Sequence, residues 1–221
     1  MNIHTVHMGI TSCYIIQDEG TILVDSGQPD KLKNLSRGMQ KLGINTQEIS
    51  LIINTHGHFD HVGSAADIQN ITGAQIAMHD LDKECLENSV NRAITGVNTW
   101  GCIVAWLSER YDPSPITVAK VDIALGDEEF SLAPFGISGK VLYTPGHTLG
   151  SVSVLLDSGN AFVGDLAMNG IPFHFRPGLP IFAEDLELVK RSWRLLLDQG
   201  AKVIYPGHGK PFRADIISRL V

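Results

Sequence analysis

Short apolar runs separated by polar, glycine-bearing turns dominate this chain, and they predict strands more often than helices. Residues 2–25 read as three short strands. Thr11-Ser12 and Glu19-Gly20 supply the turns, and Thr21-Ile22-Leu23-Val24-Asp25 is the third strand. Asp30 then caps a predicted helix whose apolar residues Leu32, Leu35, Met39 and Leu42 recur at helical spacing, with Gly43 as its stop. A strand at 50–54, a helix at 62–72 ended by Gly73, a strand at 75–78 and a short polar helix at 80–88 follow. This alternation after an opening meander predicts a mixed sheet with helices on one face.

Residues 89–116 break the rhythm. Trp100, Ile103, Val104, Leu107 and Tyr111 lie at helical spacing, and Pro113 and Pro115 end the segment. The structural expectation is an amphipathic helix packed on the core. The functional one is a cap over a site, and the same segment offers a surface for a homodimer. Strands return at 117–124, 128–132, 138–143, 152–156 and 161–163. Residues 167–182 hold Pro172, Pro177 and Pro180 and read as a loop. A helix at 184–199 shows the buried stripe Leu186, Val189, Trp193, Leu196 and Leu197, with Glu184 and Asp185 at its N-terminus and Gly200 as its stop. A last strand at 202–205 delivers Pro206-Gly207-His208-Gly209.

The densest polar stretch is His56-Gly57-His58-Phe59-Asp60-His61, directly after the apolar strand. If His56 and His58 stay extended, both rings point to one side. Asp60 and His61 then fall on a turn and reach a second position nearby. Neutral imidazole and carboxylate suit Zn²⁺ and similar ions. A run of surface histidines, or Asp60 as a helix cap, is the plain alternative, and the density of the set weighs against it. The same order of strand, glycine turn and ligating side chain recurs at His147, Asp165 and His208. Seven such ligands are too many for one tetrahedral zinc and suit two ions sharing a bridge.

Composition narrows the partners. Apolar residues are 43 % of 221, enough for a sizeable core, and the chain reads as one domain over 1–221. The net charge of −7 argues against a nucleic-acid backbone as partner. No apolar run approaches the ~18 residues of a membrane span. The N-terminus lacks the basic flank and apolar core of a signal peptide. Cys13, Cys85 and Cys102 form no Cys-X-X-Cys pair and read as reduced, mostly buried thiols of a cytoplasmic protein, with a catalytic cysteine as the lesser alternative.

With these motifs together, the chain resembles the metallo-β-lactamase fold hydrolases. The resemblance covers nearly the whole chain: Asp25 in its strand-end turn, His-X-His-X-Asp-His at 56–61, His147, Asp165 and His208. It implies an α/β (α+β) fold: a four-layer αββα sandwich of two mixed sheets flanked by helices, with metals at one edge. It implies that His56, His58 and His147 hold one metal, that Asp60, His61 and His208 hold the second, and that Asp165 bridges both. Asp25 matches a position that orients the ligand loop without touching metal, its alternative being an ordinary turn aspartate. Two Zn²⁺ are implied as cofactors, with iron or manganese compatible with the same donors. The implied nucleophile is a metal-bridging hydroxide, which Asp60 orients and whose proton it shuttles.

The resemblance does not supply a substrate. Family β-lactamases generally lack the bridging aspartate, so Asp165 argues against that activity. Glyoxalase II relatives carry a Gly-Arg-rich segment after the bridge that 166–182 does not match, and lactone-cleaving relatives often place a tyrosine where Met168 stands. The expected function is hydrolysis of a small ester, thioester or lactone. A phosphodiesterase of the same fold and a non-catalytic metal-dependent sensor are the alternatives. Residues 89–116 and 167–182, the two longest departures from the strand rhythm, are expected to form an apolar substrate pocket. Trp100, Phe173, His174 and Arg176 are its candidate substrate contacts. Trp106, Tyr111 and Phe175 could add to its walls, and Arg92 and Arg110 are further polar anchors.

Overall fold

The computed structural model describes residues 1–108, 115–170 and 174–221, and only the backbone of residues 174 and 175. The opening meander is present as β1 (Asn2–Met8), β2 (Thr11–Gln17) and β3 (Thr21–Val24), followed by α1 (Leu32–Leu42) and β4 (Ile49–Ile53). Next come α2 (Phe59–Val62), α3 (Ala65–Thr72), β5 (Gln75–His79), α4 (Lys83–Glu87), α5 (Thr99–Ser108) and β6 (Ile123–Leu125). The second half holds β7 (Phe130–Ser131), β8 (Gly139–Tyr143), β9 (Val152–Leu156), β10 (Asn160–Gly170), β11 (His174–Gly178), α6 (Leu186–Asp198), β12 (Val203–His208) and β13 (Phe212–Arg213).

The strands form two mixed sheets. One runs β1-β2-β3-β4-β5-β6, antiparallel through β3 and parallel from β3 to β6. The other runs β13-β12-β10-β9-β8-β7, with β11 paired to β10 and only β10–β12 parallel. Their inner faces meet in one apolar layer, where Ile22, Val24 and Leu51 pack with Val141, Val154 and Phe162. Leu35 and Met39 of α1 and Ile68 of α3 cover the outer face of the first sheet. Trp193 and Leu196 of α6 cover the second, and Trp193 Nε1 donates to the Leu166 carbonyl at 2.9 Å. The layers are therefore helix, sheet, sheet, helix.

Several boundaries differ from the expectation for local reasons. Asp30 does not cap α1. It sits at φ 61°, and the Lys31 N–H donates to Ser64 Oγ instead. The single helix at 62–72 is broken at Gly63 and Ser64, where the Gly63 N–H donates to the Gly27 carbonyl and the Ser64 hydroxyl to the Gln28 carbonyl. His79 extends β5 one residue beyond the expected 75–78, and its ring stacks on Tyr143 at 4.5 Å. Of the strand expected at 117–124 only residues 123 and 124 pair, within β6, because the Asp122 carboxylate takes the Ile76 N–H at the edge of β5. β10 runs on past residue 163 to Gly170 and turns back as β11, so 167–182 is largely a hairpin rather than a loop.

The apolar stripe of 89–116 also behaves differently. Gly101 is the buried residue of α5, and Ala105 and Ser108 follow it at i+4 and i+7 on the inward side. Trp100, Ile103, Trp106 and Leu107 lie off that line and are exposed. Tyr111, Arg110 and Pro113 fall outside the described residues.

Candidate metal centre

Two kinds of scaffold bring the predicted ligands together. His56, His58, Asp60 and His61 occupy the turn from β4 into α2, and His147 the loop between β8 and β9. Asp165 and His208 lie within strands, on neighbouring β10 and β12, not on turns beyond them. β10 survives its polar interruption through a register shift at Gly164, which adopts φ 51°. A side chain there would collide with Thr55 Oγ1. All seven ligand candidates are buried, and their donor atoms fall into two groups: His56, His58, His147 and Asp165, and Asp60, His61 and His208.

Hydrogen-bond partners fix which ring nitrogens carry lone pairs. His147 Nδ1 faces the Phe182 carbonyl at 2.9 Å and must donate, leaving Nε2 bare. Thr55 Oγ1 donates to Asp25, so His56 Nδ1, 3.1 Å away, donates to Thr55, and its Nε2 is bare too. Both bare nitrogens lie 3.0 Å from His58 Nδ1. One His58 proton cannot serve two acceptors. Nitrogens bound to one tetrahedral zinc lie about 3.3 Å apart, so a divalent ion fits where a proton does not.

The second group follows the same logic. His61 Nδ1 donates to Asp25 Oδ2 at 2.9 Å and His208 Nδ1 to the Ile10 carbonyl at 3.1 Å. Their Nε2 atoms therefore face carboxylates: His61 lies 3.3 Å from Asp165 Oδ1, and His208 lies 3.2 Å from Asp60 Oδ2 and 3.3 Å from Asp165 Oδ2. Each of these contacts needs a cation between nitrogen and oxygen: a proton on the ring in the metal-free protein, or a metal ion in its place. His61 Nε2 and Asp165 Oδ1 are buried and make no hydrogen bond, as expected of atoms that hold a metal. Asp25 sits at φ 60° and holds both the Thr55 N–H and His61, so it orients the ligand loop from behind. Thr11 Oγ1 donates to Asp60 Oδ2 at 2.9 Å.

Protons compete with metal differently at the two groups. Burial, with His147 beside it, pushes His58 down to about 3. Burial lowers His56 and His147 as well. Burial alone would also lower His61 and His208, but Asp25, Asp165 and Asp60 outweigh it. His61 is raised, and His208 is raised to about 10. The signs define a test on chelator-stripped protein. The lowered trio loses stability as pH falls below the unfolded value of about 6.5, and the raised pair loses it as pH climbs from there toward 10. The melting temperature of stripped protein should peak near pH ~6.5 and fall on both sides. A monotonic profile across pH 5–9 would contradict these assignments.

Above the two groups opens a cleft of about 690 Å³. His58, Asp60, Asp165 and His208 line its floor, and Ile10, Phe59, Ala93, Ile94, Ala105 and Phe182 supply apolar wall. The predicted substrate contacts fare less well. Trp100 is 47 % exposed and outside the lining, since the inward side of α5 presents Ala105 and Ser108. Arg176 is exposed on β11 and also outside it. Phe173 and the His174 side chain lie outside the described residues. Arg92 does line the cleft, with its guanidinium paired to Asp82 and Glu184. Ile10 and Phe182 escaped notice. The first hides in a hairpin turn, and the second belongs to a proline-rich stretch whose return to the site depends on β11.

Comparison with known proteins agrees with this geometry. The family model of the metallo-beta-lactamase superfamily matches residues 8–208. The chain belongs to that superfamily. It is 25 % identical over 242 residues to the probable metallo-hydrolase YflN of Bacillus subtilis, covering 97 % of this chain and 88 % of the relative. A probable metallo-hydrolase of Methanocaldococcus jannaschii is 26 % identical over 205 residues, covering 90 % and 88 %. A hydroxyacylglutathione hydrolase of Maricaulis maris shares 33 % over 118 residues, covering 53 % of this chain and 33 % of its own length. Among solved structures, the B3 metallo-beta-lactamase BLEG-1 superposes with a TM-score of 0.73 at 21 % identity over 97 % of this chain and 95 % of that one, a likeness of fold. As a member of this superfamily the protein is a metallo-hydrolase, and its His and Asp groups suit divalent ions. No helix among the described residues is long and apolar enough to cross a membrane.

Proposed function

We propose that this superfamily member is a binuclear, zinc-dependent hydrolase acting on a small uncharged ester, thioester or lactone. The observation that carries it is the stacking of two buried donor groups beneath an apolar-walled cleft. His56, His58, His147 and Asp165 would hold one ion, and Asp60, His61 and His208 the other, with Asp165 between them. Zinc is the expected ion, and iron or manganese suits the same donors. Bound there, the ions would make a nucleophile of water at neutral pH and polarise the scissile carbonyl.

The chain's own residues supply the rest. Asp60, held by Thr11 and facing the cleft, orients the attacking water and takes its proton. Ile10, Phe59, Ile94 and Phe182 bind the acyl portion and keep bulk water from the floor. Arg92 is committed to two carboxylates, which disfavours it as a binder of a substrate anion and favours an acyl over a phosphodiester substrate. The hydroxyacyl name of the Maricaulis maris relative supports the same choice. The free thiols of Cys13, Cys85 and Cys102 support a cytoplasmic location.

A panel of chromogenic neutral acyl esters, thioesters, lactones and phosphodiesters tests the reading. Turnover of an acyl substrate, abolished by chelator and restored by zinc, is the expected result. Turnover of phosphodiesters alone would overturn the substrate class, and tight binding without turnover of any member would favour a sensor.

A further inference from the structure

Asp82 precedes α4, is fully buried, and takes no part in the hydrolysis outlined above. A buried carboxylate is costly unless donors surround it. Its Oδ2 accepts from the Gly57 N–H at 2.8 Å and from Thr148 Oγ1 at 2.7 Å. Gly57 stands between His56 and His58, and Thr148 follows His147. One carboxylate oxygen thus joins two loops that come from different sheets and carry the three converging imidazoles.

The other oxygen, Oδ1, pairs with Arg92 Nη2 at 2.6 Å. Arg92 Nη1 reaches Glu184 Oε1 at 3.1 Å, and Glu184 Oε2 accepts the Leu149 N–H at 2.8 Å. The network therefore grips the His147 loop at Thr148 and at Leu149. Both loops also press against the carboxylate. A Cβ at Gly150 would stand 2.5 Å from Asp82 Oδ1, and one at Gly57 would stand 3.4 Å from Asp82 Cβ. Glycine at both places permits the approach.

We infer that Asp82 is a positioning residue for the first metal group: it sets the His56–His58 turn against the His147 loop so that their nitrogens converge. The inference rests on the proposed metal groups. Zinc stoichiometry of the unaltered protein tests those groups, while the ratio of variant to parent affinity tests Asp82. Charge-assisted hydrogen bonds to backbone and hydroxyl are the strong kind, so the carboxylate should matter more than its neutral isostere.

The experiment measures zinc affinity by chelator competition on the full chain in two backgrounds. His208→Ala removes a ligand of the second group and leaves the first, and His147→Ala does the converse. Asp82→Asn should weaken zinc about 10–100-fold in the first background, the usual cost of losing a partner that orients ligands. In the second background it should change affinity by less than about twofold, as independent sites do. A general structural role would weaken both alike. Equal weakening in both, or none in the first, overturns the inference. Should Asp82→Asn not fold, Thr148→Val removes one donor while keeping shape. It should weaken zinc in the His208→Ala background alone, and unchanged affinity there overturns the inference as well.

Discussion

Asp165→Asn should cost more than about 100-fold in kcat/KM, above the range for residues that merely orient a ligand, while the protein still folds. Asp165 lies 3.3 Å from both His61 and His208 and belongs to the other donor group through its 3.7 Å approach to His147. Its two carboxylate oxygens thus approach donor nitrogens of both groups. The same histidines hold its carboxyl well below the usual range, against burial that would raise it, so it acts as an anion. The amide has the same shape but no full charge to share between two cations. Folding should survive because the three large apolar clusters, between the sheets, under α1 and α3, and under α6, do not include Asp165. Circular dichroism, elemental analysis and turnover on one preparation check this. Wild-type turnover with fewer than two metals would remove Asp165 from its bridging place.

Acid should strip the two groups one after the other. His58 resists protonation to about pH 3, and burial lowers His56 and His147 as well. A metal entering there meets less competition from protons than at the second group. His208 holds its proton to about 10, and His61 is raised too, so a metal at the second group must displace protons throughout the neutral range. Affinity there should rise with pH, by roughly tenfold per unit for each proton displaced, until His208 is neutral. Dialysed at pH 8, the protein should retain both metals. At pH 5.5 it should retain the one held by His56, His58 and His147. Simultaneous loss of both metals at one pH would contradict the division into two groups.

The site was more legible than its walls. His56, His58, Asp60 and His61 announce themselves because six residues after an apolar strand have no ordinary use for so much ligating capacity. His147, Asp165 and His208 each follow an apolar run, so the structure gathers what the spacing suggested. The misplaced strand ends have one cause. A glycine and an acid at 164–165 look like a terminus, whereas a register shift carries β10 through them. Pro206-Gly207 looks like a turn, but it continues β12. The wall was harder because it depends on which side of α5 faces inward. Aromatic bulk pointed to Trp100, but small Gly101 and Ala105 make the closer helix face. Arg92 read as a free anchor, since nothing in sequence shows that Asp82 and Glu184 claim it.

The most direct test of the binuclear reading is a titration. Chelator-stripped protein at pH 8 is loaded with zinc in steps, and turnover of the best acyl substrate is followed. Activity should stay low through the first equivalent, rise with the second, and break to a plateau at two metals per chain. A plateau at one equivalent, or activity indifferent to the chelator, would contradict it.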